Sequence, residues 1–137
     1  MSTLRVVVAD DNPSMTTALR LVLQFWGWEV IVAHDGMEAL SSVREARPAV
    51  ALIDIGLPRM DGLEVARLLR AGRAAPRLLV ALSGYGEDRD RVRSHEAGFD
   101  RHLVKPIEPE VLRAVMASAL PSRMPERGAE TAPLRAL

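Results

Sequence analysis

The chain contains no cysteine. That excludes disulfides, thiolate nucleophiles and cysteine-ligated metals, and leaves chemistry to carboxylates, hydroxyls, imidazoles or amines. It also carries no net charge, with 18 basic residues balancing 18 acidic ones. The long-range field usual for proteins that act on nucleic acid or anionic membranes is therefore missing, and neither is expected as a partner. No apolar run approaches the roughly 18 residues of a membrane span, and residues 1–4 lead into a strand-like run without a signal peptide's long apolar segment. A soluble, cytoplasmic protein is expected. Lysine is scarce too: Lys105 stands alone among 18 basic residues, the rest being arginine.

What is present is enough for one sizeable core, since 48% of 137 residues are apolar. Short apolar, β-branched runs occur at 4–9, 28–33, 49–53, 77–82 and 101–104, with helical patterns between them. The middle runs are almost continuously apolar, which suits a parallel sheet covered on both faces and predicts an α/β fold. Asn12 and Pro13 open the first helix and Gly27 can end it; Met15, Ala18, Leu19, Val22, Leu23 and Trp26 form its expected inner stripe. Asp35 with Glu38, and Asp61 with Glu64, have the spacing of capping boxes for the second and third helices. The fourth, from about Glu87 to Ala97, offers only Val92 and Ala97 to bury and should be the most weakly anchored. The fifth begins near Glu108 and Pro109 and places Leu112, Val115, Met116 and Ala119 on one face. The expected division is one domain over 1–120, followed by a flexible tail over 121–137 that lacks an apolar stripe.

In open parallel sheets, ligands bind beyond the carboxyl ends of the strands. Asp10 and Asp11 follow the first strand, Asp54 ends the third, Ser83 follows the fourth and Lys105 the fifth. If the first and third strands are neighbours, three carboxylates crowd one pocket and call for a cation. An all-oxygen set fits magnesium better than zinc. Two acids plus Asn12 exceed what capping of one helix requires. The lone lysine at a strand end before a proline indicates a point charge on a flexible stem, which reaches a single phosphoryl or carboxylate oxygen more readily than a guanidinium fork does.

Taken together, Asp10-Asp11, the run from Leu52 to Gly62 (LIDIGLPRMDG), Ser83-Gly84 and Lys105-Pro106 resemble the receiver domain of two-component response regulators over residues 4–120. The resemblance implies a doubly wound (βα)5 flavodoxin-like sheet with strand order 2-1-3-4-5. It implies Asp54 as phospho-acceptor, attacking the phosphorus of a histidine kinase or phosphotransfer-protein phosphohistidine. Magnesium would be held by Asp10, Asp11, Asp54 and the Gly56 carbonyl. Lys105 would pair with the phosphoryl group, Ser83 would be the switch hydroxyl, and His102 would occupy the place of the switch aromatic. His102-Leu103-Val104-Lys105-Pro106 is similar to receivers that accompany hybrid histidine kinases.

The function so implied is a stand-alone phosphoacceptor switch, catalytic only in its own phosphorylation and dephosphorylation. It would signal to a downstream protein through the fourth helix, fifth strand and fifth helix, a face also open to homodimer formation. The alternatives are a pseudo-receiver that serves only as an interaction module, and an aspartyl-nucleophile phosphatase. Gly56 stands where the latter would need a general acid. A cis Lys105-Pro106 bond is also expected, as is a long-lived phosphoryl group, because neither Gly56 nor Tyr85 would orient an attacking water. His34 and His95 read as surface residues, and the Trp26-Gly27-Trp28 cluster as core packing.

Overall fold

The computed structural model describes residues 4–84 and 88–120. Tyr85, Glu87 and the segment 121–137 lie outside the described residues. Five parallel strands, β1 (Arg5–Ala9), β2 (Glu29–Ala33), β3 (Val50–Asp54), β4 (Leu78–Ser83) and β5 (Arg101–Val104), form one sheet in the order β2-β1-β3-β4-β5. The helices α1 (Pro13–Phe25), α2 (Gly36–Ala46), α3 (Gly62–Ala71), α4 (Asp88–Ala97) and α5 (Pro109–Ser118) alternate with them. The α/β class and strand order are as the resemblance implied.

Because side chains alternate across a pleated strand, each buried strand feeds two cores. Val6, Val8, Val50, Leu52, Val80, Leu82 and Leu103 pack with Leu19 and Leu23 of α1 and with Leu112, Val115 and Met116 of α5. Val7, Ala9, Ala51, Ile53, Leu79 and Ala81 pack with Ala39 and Val43 of α2, Val65, Ala66 and Leu69 of α3, and Ala97 of α4. Both faces of the central strands are dry, which is why their sequences show no alternation.

Local capping chemistry sets the helix starts. Asn12 Oδ1 accepts from the Ser14 and Met15 amides, Asp35 Oδ1 from the Glu38 amide and Asp61 Oδ1 from the Glu64 amide. The Glu38 carboxylate does not close a box on its own cap; its Oε1 takes the His34 amide at 2.7 Å and lies 3.2 Å from His34 Nδ1. That exposed histidine thus has an i,i+4 partner which the sequence reading missed. Gly27 follows α1 at φ +96°, the left-handed conformation that ends a helix at little cost to glycine.

Two expected core positions are corrected. Ala18 is exposed and Thr16 is buried in its stead, because α1 lies on the sheet along the 16–19–23 line and Thr16 Oγ1 donates to the Pro13 carbonyl, which satisfies its hydroxyl. Val92 is 54% exposed; the residues of α4 that are buried among those described are Ser94 and Ala97. The helix is indeed thinly anchored, and half of its anchor is polar. Trp28 is buried and Trp26 is packed against the same core with the Arg113 guanidinium 5.6 Å over its ring, as the core reading of that cluster anticipated.

Candidate functional site

The strand pleat sorts the polar residues at the carboxyl end of the sheet. Asp10, Asp54 and Lys105 continue the alternation of Val8, Leu52 and Leu103 and so lie on the α1/α5 side. Ser83 and His102 have the opposite parity and lie on the α4 side, Ser83 continuing Leu79 and Ala81.

β1 and β3 are direct neighbours, with Ala9 in register with Ile53. The next residues, Asp10 and Asp54, are therefore side by side. Asp10 is fully buried and Asp54 is 9% exposed. Such carboxylates are tolerated only when paired and hydrogen-bonded. Lys105 Nζ donates to Asp10 Oδ2 at 2.6 Å and to Asp54 Oδ2 at 2.9 Å, spanning both. The remaining oxygens accept from the backbone: the Asn12 amide donates to Asp10 Oδ1, and the Gly56 amide to Asp54 Oδ1, both at 2.9 Å. Burial, the largest single influence on the Lys105 ammonium, pushes its pKa down; the hydrogen bonds to Asp10 and Asp54 and the attraction of both carboxylates outweigh it, leaving the pKa above the ordinary lysine value. Lys105 stays charged at neutral pH. The Lys105-Pro106 bond that follows is cis, as expected.

Asp11 completes the cluster at the solvent edge: one carboxylate oxygen from each of Asp10, Asp11 and Asp54 falls within 4.8 Å of the others. One ammonium against three carboxylates leaves excess negative charge in an all-oxygen pocket. That donor set fits a hard divalent cation such as magnesium.

The loop after Asp54 is clamped by α2. The Gly36 amide donates to the Pro58 carbonyl at 3.1 Å, and Arg59 Nε lies 3.5 Å from Asp35 Oδ2. On the other flank Ser83, the last residue of β4, is 2% exposed, one position beyond the Leu82 that pairs with Asp54. Its Oγ is 2.8 Å from His102 Nε2, while His102 Nδ1 is 2.9 Å from Ser94 Oγ.

The residues singled out in sequence thus form two groups: the acidic pocket with Lys105, and the Ser83–His102 pair beside it. Ser94 was missed. The available signal was a serine three residues before Ala97, on the inward face of a helix with almost nothing apolar to bury. Asp100 was missed as well. Its Oδ2 accepts from the Leu79 amide and from Arg70, which ties the start of β5 to β4 and α3.

Among the described residues no helix is long and apolar enough to cross a membrane. A protein-family model, "Response regulator receiver domain", matches residues 6–117. The chain is 39% identical over 116 residues to the DNA-binding response regulator MtrA of Mycolicibacterium smegmatis, covering 85% of this chain and 50% of that protein. It is likewise 39% identical over 132 residues to the response regulator MprA of Mycobacterium bovis, covering 96% and 56%. The chain spans about half the length of these curated relatives. Among solved structures, the receiver domain of a Pseudomonas aeruginosa sensor histidine kinase, described with magnesium coordinated in its active-site cleft, matches with a TM-score of 0.78 at 27% identity, over 85% of this chain and 97% of that one. A CheY-like receiver from Methanospirillum hungatei matches with a TM-score of 0.78 at 28% identity, over 86% and 94%. Sheet order, acidic pocket and sequence relationship agree, and the chain belongs to the response regulator receiver domain family.

Proposed function

We propose that this receiver accepts a phosphoryl group on Asp54 from the phosphohistidine of a histidine kinase or phosphotransfer protein, with magnesium, and acts as a cytoplasmic switch that alters protein binding. The observation that carries this reading is the Lys105 ammonium bridging Asp10 and Asp54 in a three-carboxylate pocket. An Asp54 carboxylate oxygen forms the new bond to phosphorus as the phosphorus–nitrogen bond to the donor imidazole breaks, and the electron pair leaves with the imidazole. The Gly56 amide and Lys105 hold the two Asp54 oxygens, so the nucleophile is oriented before the donor arrives. Lys105 can then follow the developing charge onto a phosphoryl oxygen while it keeps Asp10. Magnesium, when bound by Asp10, Asp11, Asp54 and the Gly56 carbonyl, supplies positive charge against the phosphoryl oxygens. The test is intact mass after incubation with acetyl phosphate and magnesium. A phosphoryl-sized gain is expected, and no gain with either component would leave the pseudo-receiver.

Asp11→Ala removes the exposed member of the cluster, and the magnesium Kd is expected to rise by about tenfold or more. A titration showing unchanged affinity would take Asp11 out of the site.

For the output we propose the α4–β5–α5 face, available to a downstream protein and to a second copy of the chain. Ser83 and His102 adjoin it. Val92 of α4 and Val111 of α5 are 54% and 46% exposed, and Val111 lies on the flank of α5 opposite Arg113, which reaches toward α1. Phosphorylation would bias an equilibrium already present through Ser83's contact with the phosphoryl group. Hydrogen exchange of both states is expected to differ in α4, β5 and α5; differences confined to α2 and α3 would contradict this assignment.

A further inference from the structure

At the amino ends of the central strands, the end of the sheet opposite the acidic pocket, lies a cavity of about 290 Å³. Leu4, Ala49 and Arg77, the residues just before β1, β3 and β4, line it together with Ala119 from the end of α5. Its charge is of one sign. Arg47, Arg73 and Arg77 line it, and none of the described residues that do so is acidic. An arginine near a helix C-terminus ordinarily answers the last carbonyls of that helix. Arg77 does so, its Nη1 donating to the Ala119 carbonyl at 3.3 Å. The Arg47 and Arg73 guanidinium groups, which follow α2 and α3, make no hydrogen bond or ion pair with a described residue. Arg47 also caps α2 at φ +48°, in the left-handed region that favours glycine. Glycine would make that turn with less strain, so the turn does not account for an arginine there.

We propose that this cavity binds a phosphate dianion, either the free ion or the head of a small phosphomonoester. Helix ends carry about half a negative charge each, which offsets only part of three guanidinium charges and leaves the cavity positive. Guanidinium forks pair with oxygens two at a time. A planar carboxylate has oxygens for one fork, whereas a tetrahedral dianion presents enough of them to engage all three arginines. The volume is near the lower bound of small-molecule sites and suits one compact ligand. Leu4 and the buried Pro48 and Pro76 add apolar surface on which the organic part of a monoester can lie. Phosphate here would be bound and not transferred, so the site is independent of the chemistry proposed for Asp54.

The test is a titration of the full chain with inorganic phosphate and, separately, with phenyl phosphate, followed by 1H–15N spectra that include the arginine Nε–H groups. Magnesium is left out, so that the three carboxylates around Asp54 repel both probes and the acidic pocket does not compete. Saturable shifts are expected at Arg47, Arg73 and Arg77. Removing one charged donor, in Arg73→Gln or in Arg47→Gly, should raise the Kd by about tenfold or more. Arg47→Gly also relieves the left-handed strain, so its thermal midpoint should hold or rise while its affinity falls; an arginine present only to end α2 would leave the affinity unchanged. Tighter binding of phenyl phosphate assigns the site to a monoester and equal binding assigns it to the free ion, and each result supports the anion site. No saturable shift with either probe, shifts of equal size at arginines all over the surface, or a Kd unmoved by both substitutions would overturn the proposal.

Discussion

Asp54→Asn is expected to abolish the gain in mass after treatment with acetyl phosphate and magnesium, and raising the magnesium concentration should not restore it. The substitution keeps the size of the side chain, and its carbonyl oxygen can still take the Gly56 amide that Asp54 Oδ1 accepts at 2.9 Å. Lys105 keeps its 2.6 Å bond to the buried Asp10, so the pocket is not left with an unpaired ammonium. What disappears is the anionic oxygen that forms the bond to phosphorus, together with one ligand of the metal cluster. Asp11→Ala separates these two losses: it weakens the metal site but leaves the nucleophile, and saturating magnesium should recover its labelling. Full labelling of Asp54→Asn, or recovery of both variants at high magnesium, would move the acceptor to another residue.

Gly62→Ala, a conservative change near the site, is expected to be strongly damaging. A Cβ at position 62 would overlap the Asp54 carbonyl oxygen and stand 2.8 Å from Ile55 Cα, both backbone atoms that no rotamer change can clear. The Gly62 amide also donates to the Ile55 carbonyl at 3.0 Å, so the start of α3 is pressed directly onto the end of β3. Separating them means moving the backbone that carries Asp54, inside a close-packed core. A loss of about 3 kcal/mol is expected, at the upper end for overpacking, read as a Tm lowered by roughly 10 °C or more. Gly72→Ala serves as the control. Its nearest neighbour is the Leu68 carbonyl oxygen at 3.6 Å, an ordinary contact, and the change should stay within about 0.5 kcal/mol. Equal thermal midpoints for the two variants would refute the crowding at Gly62. Where Gly62→Ala remains folded in the cold, phosphorylation should still be slow, because the loop that aims Asp54 has shifted.

The sequence by itself determined what depends on neighbours along the chain. Asn12, Asp35 and Asp61 accept from amides two or three residues further on, so the starts of three helices could be read from one residue each. Unbroken apolar strands implied a sheet covered on both faces, and the order of acid pair, aspartate, serine and lysine at successive strand ends pointed to the receiver family. Only the tertiary structure decided what depends on residues distant in sequence. Lys105 meets Asp10 across 95 positions of chain, a contact that exists because β5, β4, β3 and β1 stack their ends at one level. Ala18 and Thr16 exchange places because a helix's inner face is set by how it lies on the sheet, and the 3.6-residue period alone leaves the edge of that stripe open. The roles of Gly62 and Ser94 depend on partners distant from their immediate neighbours, and for Ser94 the sequence offers only its place on the inward face of a helix with little to bury. One needs its missing side chain because the backbone at the end of β3 occupies the space, and the other is buried beside an imidazole from β5 that shares a hydrogen bond with it. Local chemistry places elements and end groups, whereas close approach and hydrogen-bond pairing between distant segments are properties of the packed chain.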